Sequence, residues 1–204
     1  MTALLSASGL GLFRGERRLF GDIGFALNAG NLLLVEGANG SGKTSLLRVI
    51  AGLVEPDTGS VRWRGLDVRD HRQSYCASLM WSGHKVGCKQ DLTLIENLRC
   101  ERALRPIAAR DQQAVFRRLD LAGLTDLPMR ALSAGQQRRV ALARLLLGNA
   151  ELWLLDEPFT NLDAGGEALV NQLVDEHLDA GGACVMASHR GVATDRPIER
   201  LSLS

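Results

Sequence analysis

The sequence predicts an α/β domain, and three observations carry that prediction. Strand-length apolar runs alternate with segments of helical period. Two of the runs, residues 32–36 and 151–155, are continuous rather than alternating, as expected of strands buried on both faces. A glycine-rich loop joins the first of these runs directly to a helix.

Taken in order, Met1-Thr2-Ala3-Leu4-Leu5 is mildly apolar and reads as a first strand; it lacks the positive region that opens a signal peptide. Residues 18–27 read as a strand ending at the turn Asn28-Ala29-Gly30, and 32–36 as a buried strand. The glycine-rich loop leads into a helix over about 43–51, which Gly52 and Pro56 stop. Short strands follow at 61–64 and 78–80. From about 94 to 147 the pattern is helical, with Leu94, Leu98 and Leu104, then Val115, Leu119 and Leu121, at helical spacing. A strand at 151–155, a helix at 166–178 and strands at 183–187 and 198–203 complete the set. No repeat, low-complexity tract or linker divides the chain, so one domain is expected over 1–204.

Composition excludes more than it assigns. With 204 residues, 46% hydrophobic, the chain can bury a sizeable core, and a net charge of +1 names no partner. Its longest apolar runs fall far short of the roughly 20 residues that span a bilayer. Cys76, Cys88, Cys100 and Cys184 form no C-x-x-C pair and read as buried or half-buried free thiols of a cytoplasmic chain. Charge is uneven, however. Residues 85–150 hold 12 Lys/Arg against 6 Asp/Glu, while the rest of the chain holds 12 against 17. A basic helical lobe suits anionic lipid head groups, nucleic acid, or simply solvated helix faces.

Gly37-Ala38-Asn39-Gly40-Ser41-Gly42-Lys43-Thr44 matches G-x-x-x-x-G-K-[ST] in full, between a strand and a helix. Glycines let backbone N–H groups turn inward around phosphate oxygens, and the helix start adds unsatisfied donors. Lys43 supplies a point charge to the outer phosphates and Thr44 a hydroxyl for Mg²⁺. This motif alone means nucleotide binding and no more.

Farther on, Leu132-Ser133-Ala134-Gly135-Gln136 has a capping-box pattern at a helix start, and that start is also an exposed anion site. The strand at 152–155 then delivers Asp156-Glu157-Pro158. Asp156 can hold Mg²⁺ through water, and Glu157 can accept a proton from an attacking water. Asn161-Leu162-Asp163 and, after a further strand, Ser188-His189 complete the series.

In this order the motifs resemble those of an ABC ATPase: phosphate loop, signature 132–136, the Asp156-Glu157 pair, the Asp163 loop and the switch histidine His189. The likeness covers nearly the whole chain. It implies an ABC-type phosphate-loop fold with a mostly parallel core sheet, an antiparallel β subdomain and a small helical lobe at about 85–150. It implies ATP and Mg²⁺ as cofactors, with Ser45 joining the phosphate loop in holding ATP, and Lys43, Glu157 and His189 acting in hydrolysis. It implies a head-to-tail homodimer in which Ser133, Gly135 and Gln136 of one copy close on the γ-phosphate held by the other. Phe13 stands where the family places an aromatic against adenine; a core aromatic is the equal alternative. Most members place a metal-touching glutamine where the spacing here puts His84, whose imidazole could serve the metal or be a plain polar loop residue.

Trp81-Ser82-Gly83-His84, Gly87, Leu92-Thr93, Glu96-Asn97-Leu98, the run from Leu132 to Leu145 and Asp156-Glu157-Pro158-Phe159-Thr160 are similar to the ATP-binding subunits of cytochrome c maturation haem exporters. The chain's end soon after His189 agrees with them. That likeness implies a peripheral protein on the cytoplasmic face of the bacterial inner membrane. Its expected partners are the integral membrane subunits of the maturation complex, with haem handled by them and no nucleic acid bound. An ABC subunit for another cargo and a non-transport ABC ATPase are the alternatives. A small-molecule phosphotransferase would leave the signature and the Asp156-Glu157 pair without a role.

Overall fold

The computed structural model describes residues 3–83, 86–104 (side chains of 102–104 excepted), 111–194 and 196–203. The elements run β1 (Leu5–Arg14), β2 (Arg17–Leu27), β3 (Leu32–Gly37), α1 (Lys43–Ile50), β4 (Thr58–Trp63), β5 (Leu66–Asp67), α2 (Arg72–Ser78), β6 (Leu79–Ser82), α3 (Leu94–Leu104), α4 (Gln112–Arg118), α5 (Ala134–Leu147), β7 (Leu152–Asp156), α6 (Ala164–Asp179), β8 (Ala183–Ala187) and β9 (Ile198–Leu203). Two sheets result. One is antiparallel in the order β2-β1-β4-β5, and the other is parallel in the order β6-β7-β8-β3-β9.

Strand periodicity splits the core into two layers on either side of the parallel sheet. Successive side chains point to opposite faces, so a strand apolar at every position feeds both. Leu33 and Val35 of β3, Leu152 and Leu154 of β7, and Val185 of β8 meet α1 and the antiparallel sheet through Leu46, Leu47, Leu10 and Val61. Leu32 and Leu34, Trp153 and Leu155, and Met186 face the other way, onto Leu94, Phe116, Leu145 and Leu173 of the helices. Each such side chain contributes roughly 1.5–3 kcal/mol on burial. A continuous apolar run therefore pays twice for its place in a central strand. The predicted strands at 32–36, 151–155 and 183–187 accordingly appear within a residue of their expected bounds.

Where local signals were weaker the structure departs from expectation. The first strand begins at Leu5, where the predicted one ended. β4 starts at Thr58, and Arg64, expected to end it, lies in the following turn with φ 52°. Residues 72–78 form α2, so Ser78 closes a helix and the strand starts at Leu79. Only Tyr75 of that helix is buried, its hydroxyl donating to Ile50 O at 2.6 Å, so no apolar period marks it. The helical tract 94–147 is broken by turns of tighter helix at Ala122–Leu124 and Met129–Ala131. Cys184 is buried and Cys76 and Cys88 half-buried, but Cys100 is exposed, contrary to the expectation for all four. Complete burial pushes the Cys184 thiol pKa far up, which keeps it protonated and unreactive.

Several arginines of the basic lobe are engaged within the protein. Arg144 forms a two-pronged pair with Glu101 at 2.7 and 3.1 Å, Arg118 one with Glu176 at 2.6 and 2.8 Å, and Arg130 and Arg139 pair with Asp91 and Asp120. These contacts favour ion-paired helix faces over a bare basic patch. Among the described residues, no helix is long and apolar enough to cross a membrane.

Candidate functional site

The glycine-rich loop opens where β3 leaves the sheet. Gly37 has φ 151°, and a Cβ there would lie 2.6 Å from Leu203 O of the neighbouring β9, so no larger residue fits. Gly42, φ 101°, caps α1 without a side-chain bond. The first helical bond runs from Leu46 N to Gly42 O at 2.8 Å. The N–H groups of Lys43, Thr44 and Ser45 lie in the first turn and have no acceptor in the helix, so they remain as donors at its positive end. Lys43, buried on its own helix, turns its ammonium back to Gly37 O at 2.8 Å and Ala38 O at 3.1 Å. The charge therefore sits at the mouth of the loop. Ser41 Oγ is buried with no hydrogen-bond partner, an orphan that a phosphate oxygen would satisfy.

The parallel sheet brings the second half of the site to the same edge. Asp156 ends β7, next to β8, which in turn neighbours β3. Its Oδ1 accepts from Thr44 Oγ1 at 3.1 Å, across 112 positions of sequence. A hydroxyl and a buried carboxylate this close make a donor set suited to a hard divalent cation, and with the loop they fit a Mg²⁺–nucleotide. Glu157 follows at φ 50°, a left-handed conformation that costs a non-glycine residue about 1–3 kcal/mol. Its N–H donates to Ala187 O at 2.8 Å, which helps hold the turn. Its carboxylate Oε2 lies 2.7 Å from His189 Nδ1. An ionised carboxylate only accepts, so the imidazole donates in that pair.

The signature segment starts α5. Ser133 Oγ accepts from Gln136 N at 3.2 Å while Gln136 Oε1 accepts from Ser133 N at 2.8 Å, so the capping box is formed. The Ser133 hydroxyl keeps its own proton to donate. Gly135 packs against the turn after β7: a Cβ there would meet Asn161 O at 3.2 Å. Asp163 caps α6 through Gly166 N at 2.8 Å. The buried side chains of α5 pack into the helical layer and those of α1 into the layer on the other face of the sheet.

Phe13 is 48% exposed on β1, which removes the core-aromatic alternative. His84 lies outside the described residues. One important residue escaped the sequence reading. Arg138 of α5 is only 3% exposed, and its guanidinium reaches four backbone carbonyls: Pro158 O at 2.9 Å, Gly83 O at 2.9 Å, Asp156 O at 3.3 Å and Glu157 O at 2.7 Å. Burial lowers its pKa, while the carboxylates of Asp156 and Glu157 pull the other way. A signal did exist: residues 138, 141, 142 and 145 form one buried helical stripe, and an arginine on such a stripe needs partners.

Comparison with known proteins agrees with this geometry. The family model described as ABC transporter matches residues 20–160. The chain is 49% identical over 204 residues to the cytochrome c biogenesis ATP-binding export protein CcmA of Methylococcus capsulatus, covering 99% of each chain. Among solved structures, an ATP-binding subunit of an ABC transporter superposes with TM-score 0.84 at 22% identity, over 92% of this chain and 80% of that one. An ATP-binding cassette described as dimeric, in a post-hydrolysis state bound to ADP and Pi, gives 0.80 at 21% identity, over 91% and 88%.

Proposed function

The chain belongs to the ABC transporter family, among the cytochrome c biogenesis ATP-binding export proteins, and from that premise we propose that it binds and hydrolyses Mg²⁺–ATP as the engine of a membrane complex in the haem branch of cytochrome c maturation. The observation that carries the reading is the convergence at one sheet edge of Lys43, the Thr44–Asp156 pair and the Glu157–His189 pair.

Each residue has a task that follows from its chemistry. The loop of 37–45 cradles the phosphates, which the free N–H groups at the start of α1 and the Lys43 ammonium bind. Thr44 and Asp156 would hold Mg²⁺, which when bound offsets charge on the outer phosphates. His189 Nδ1–H orients the Glu157 carboxylate through Oε2, leaving Oε1 to take a proton from water. That water attacks the γ-phosphorus as its bond to the bridging oxygen breaks, and the electron pair leaves with ADP. Phe13, exposed on the antiparallel sheet, offers a face for adenine stacking. Residue 84, if it serves the metal, does so as an imidazole.

The signature residues act on a second copy. Ser133, Gly135 and Gln136 complete a site in a head-to-tail homodimer, a reading supported by the helix start they form and by the Ser133 hydroxyl proton left free to donate. We assign the whole of 1–204 to one ATPase domain with its helical lobe at about 85–150. It works at the cytoplasmic face of the bacterial inner membrane against integral membrane subunits, which handle haem.

The pathway is tested in cells whose only copy carries Glu157→Gln. Haem-loaded chaperone accumulates and mature c-type cytochromes disappear, while b-type cytochromes are unchanged. Normal c-type cytochromes in that strain would assign the engine to another cargo.

A further inference from the structure

The Arg138 guanidinium joins parts of the molecule that a nucleotide cycle would have to coordinate. It projects from α5 one turn past the signature, and its four carbonyl acceptors come from two separate segments: Asp156, Glu157 and Pro158 at the end of β7, and Gly83 after β6. A planar fork of fixed N–H directions, buried and bonded to four carbonyls, tolerates little relative movement. The shortest of the four bonds, 2.7 Å, is to Glu157 O. With the bond from Glu157 N–H to Ala187 O, it holds both peptide units that flank the left-handed Glu157 and so the aim of its carboxylate.

We propose that Arg138 is a positioning residue for hydrolysis: it makes the start of α5, the Glu157 turn and the Gly83 loop move as one body, so that docking of the signature on a partner's nucleotide sets the aim of Glu157. This rests on reading Glu157 as the base. Arg138 touches carbonyls only, so its loss leaves the phosphate loop intact. It lies 2.9 Å from Gly83 O, so the same clamp ties the end of the β6 segment to α5.

The test is steady-state ATP hydrolysis and equilibrium ATP binding for the full chain and for Arg138→Gln and Arg138→Lys, with thermal melts to select folded protein. A positioning role predicts that Arg138→Gln lowers kcat roughly 10- to 100-fold, the cost of a base displaced by about an ångström. ATP affinity stays within about twofold, and Arg138→Lys, which keeps the charge but not the fork, recovers part of kcat. Wild-type kcat in folded Arg138→Gln overturns the proposal. So does a parallel loss of ATP affinity and kcat, which would make Arg138 a general strut. Should Arg138→Gln not fold, Arg138→Lys is judged by the same split. A wild-type chain that binds ATP without hydrolysing it overturns the base reading, and this inference with it.

Discussion

Glu157→Gln leaves ATP bound and nearly unhydrolysed. The substitution keeps the side chain's size and its carbonyl oxygen as an acceptor for His189 Nδ1–H, which now lies 2.7 Å from Oε2. The backbone is untouched, so the left-handed turn held by Ala187 O and Arg138 persists. What disappears is an oxygen basic enough to take a proton from the attacking water. Loss of a positioned base costs about 10²–10⁴-fold in rate. Single-turnover hydrolysis and nucleotide binding, measured on the same preparation, separate the two effects. Turnover near wild type would move the base elsewhere, with His189 the next candidate.

Lys43→Ala abolishes most ATP binding. The ammonium is buried at the loop mouth and already directed to Gly37 O and Ala38 O, so it is the concentrated positive charge nearest the phosphates. Helix donors and backbone N–H groups remain, but each carries only a partial charge. A hydrogen bond to a charged group contributes about 1.5–3 kcal/mol, and Lys43 can make more than one, so affinity falls by about 10²-fold or more. Titration with a fluorescent ATP analogue reads the loss directly. Affinity within a few-fold of wild type would remove the phosphate-loop assignment, whatever the hydrolysis rate.

Legibility in the sequence follows contact distance. The phosphate loop could be read because Gly37 to Thr44 work through their own backbone and side chains, within one strand–loop–helix unit. β3, β7 and β8 were visible because burial on both faces demands apolar residues at every position. The capping box at Ser133 was visible because its two bonds span three residues. By contrast, α2 has one buried side chain and β5 two residues, so neither carries a period. Arg138 was missed because its partners lie 18 to 55 positions away and are carbonyls, which no residue type announces. Thr44 and Asp156, 112 positions apart, were expected at one metal because each carried its own motif, but the bond between them was not.

Sedimentation velocity tests most directly whether a second copy completes the site. Glu157→Gln, which holds ATP without consuming it, is compared with the same chain carrying Ser133→Arg as well. The side chain of Ser133 stands at the start of α5 as part of a formed capping box, so arginine there removes a hydroxyl donor and adds bulk where the partner's phosphate would sit. With saturating Mg²⁺–ATP the single variant sediments as a dimer and returns to monomer when nucleotide is withdrawn. The double variant, still binding ATP through its own Lys43, remains a monomer. Dimerisation of the double variant equal to that of the single one, or a single variant that stays monomeric with ATP bound, would contradict the composite site.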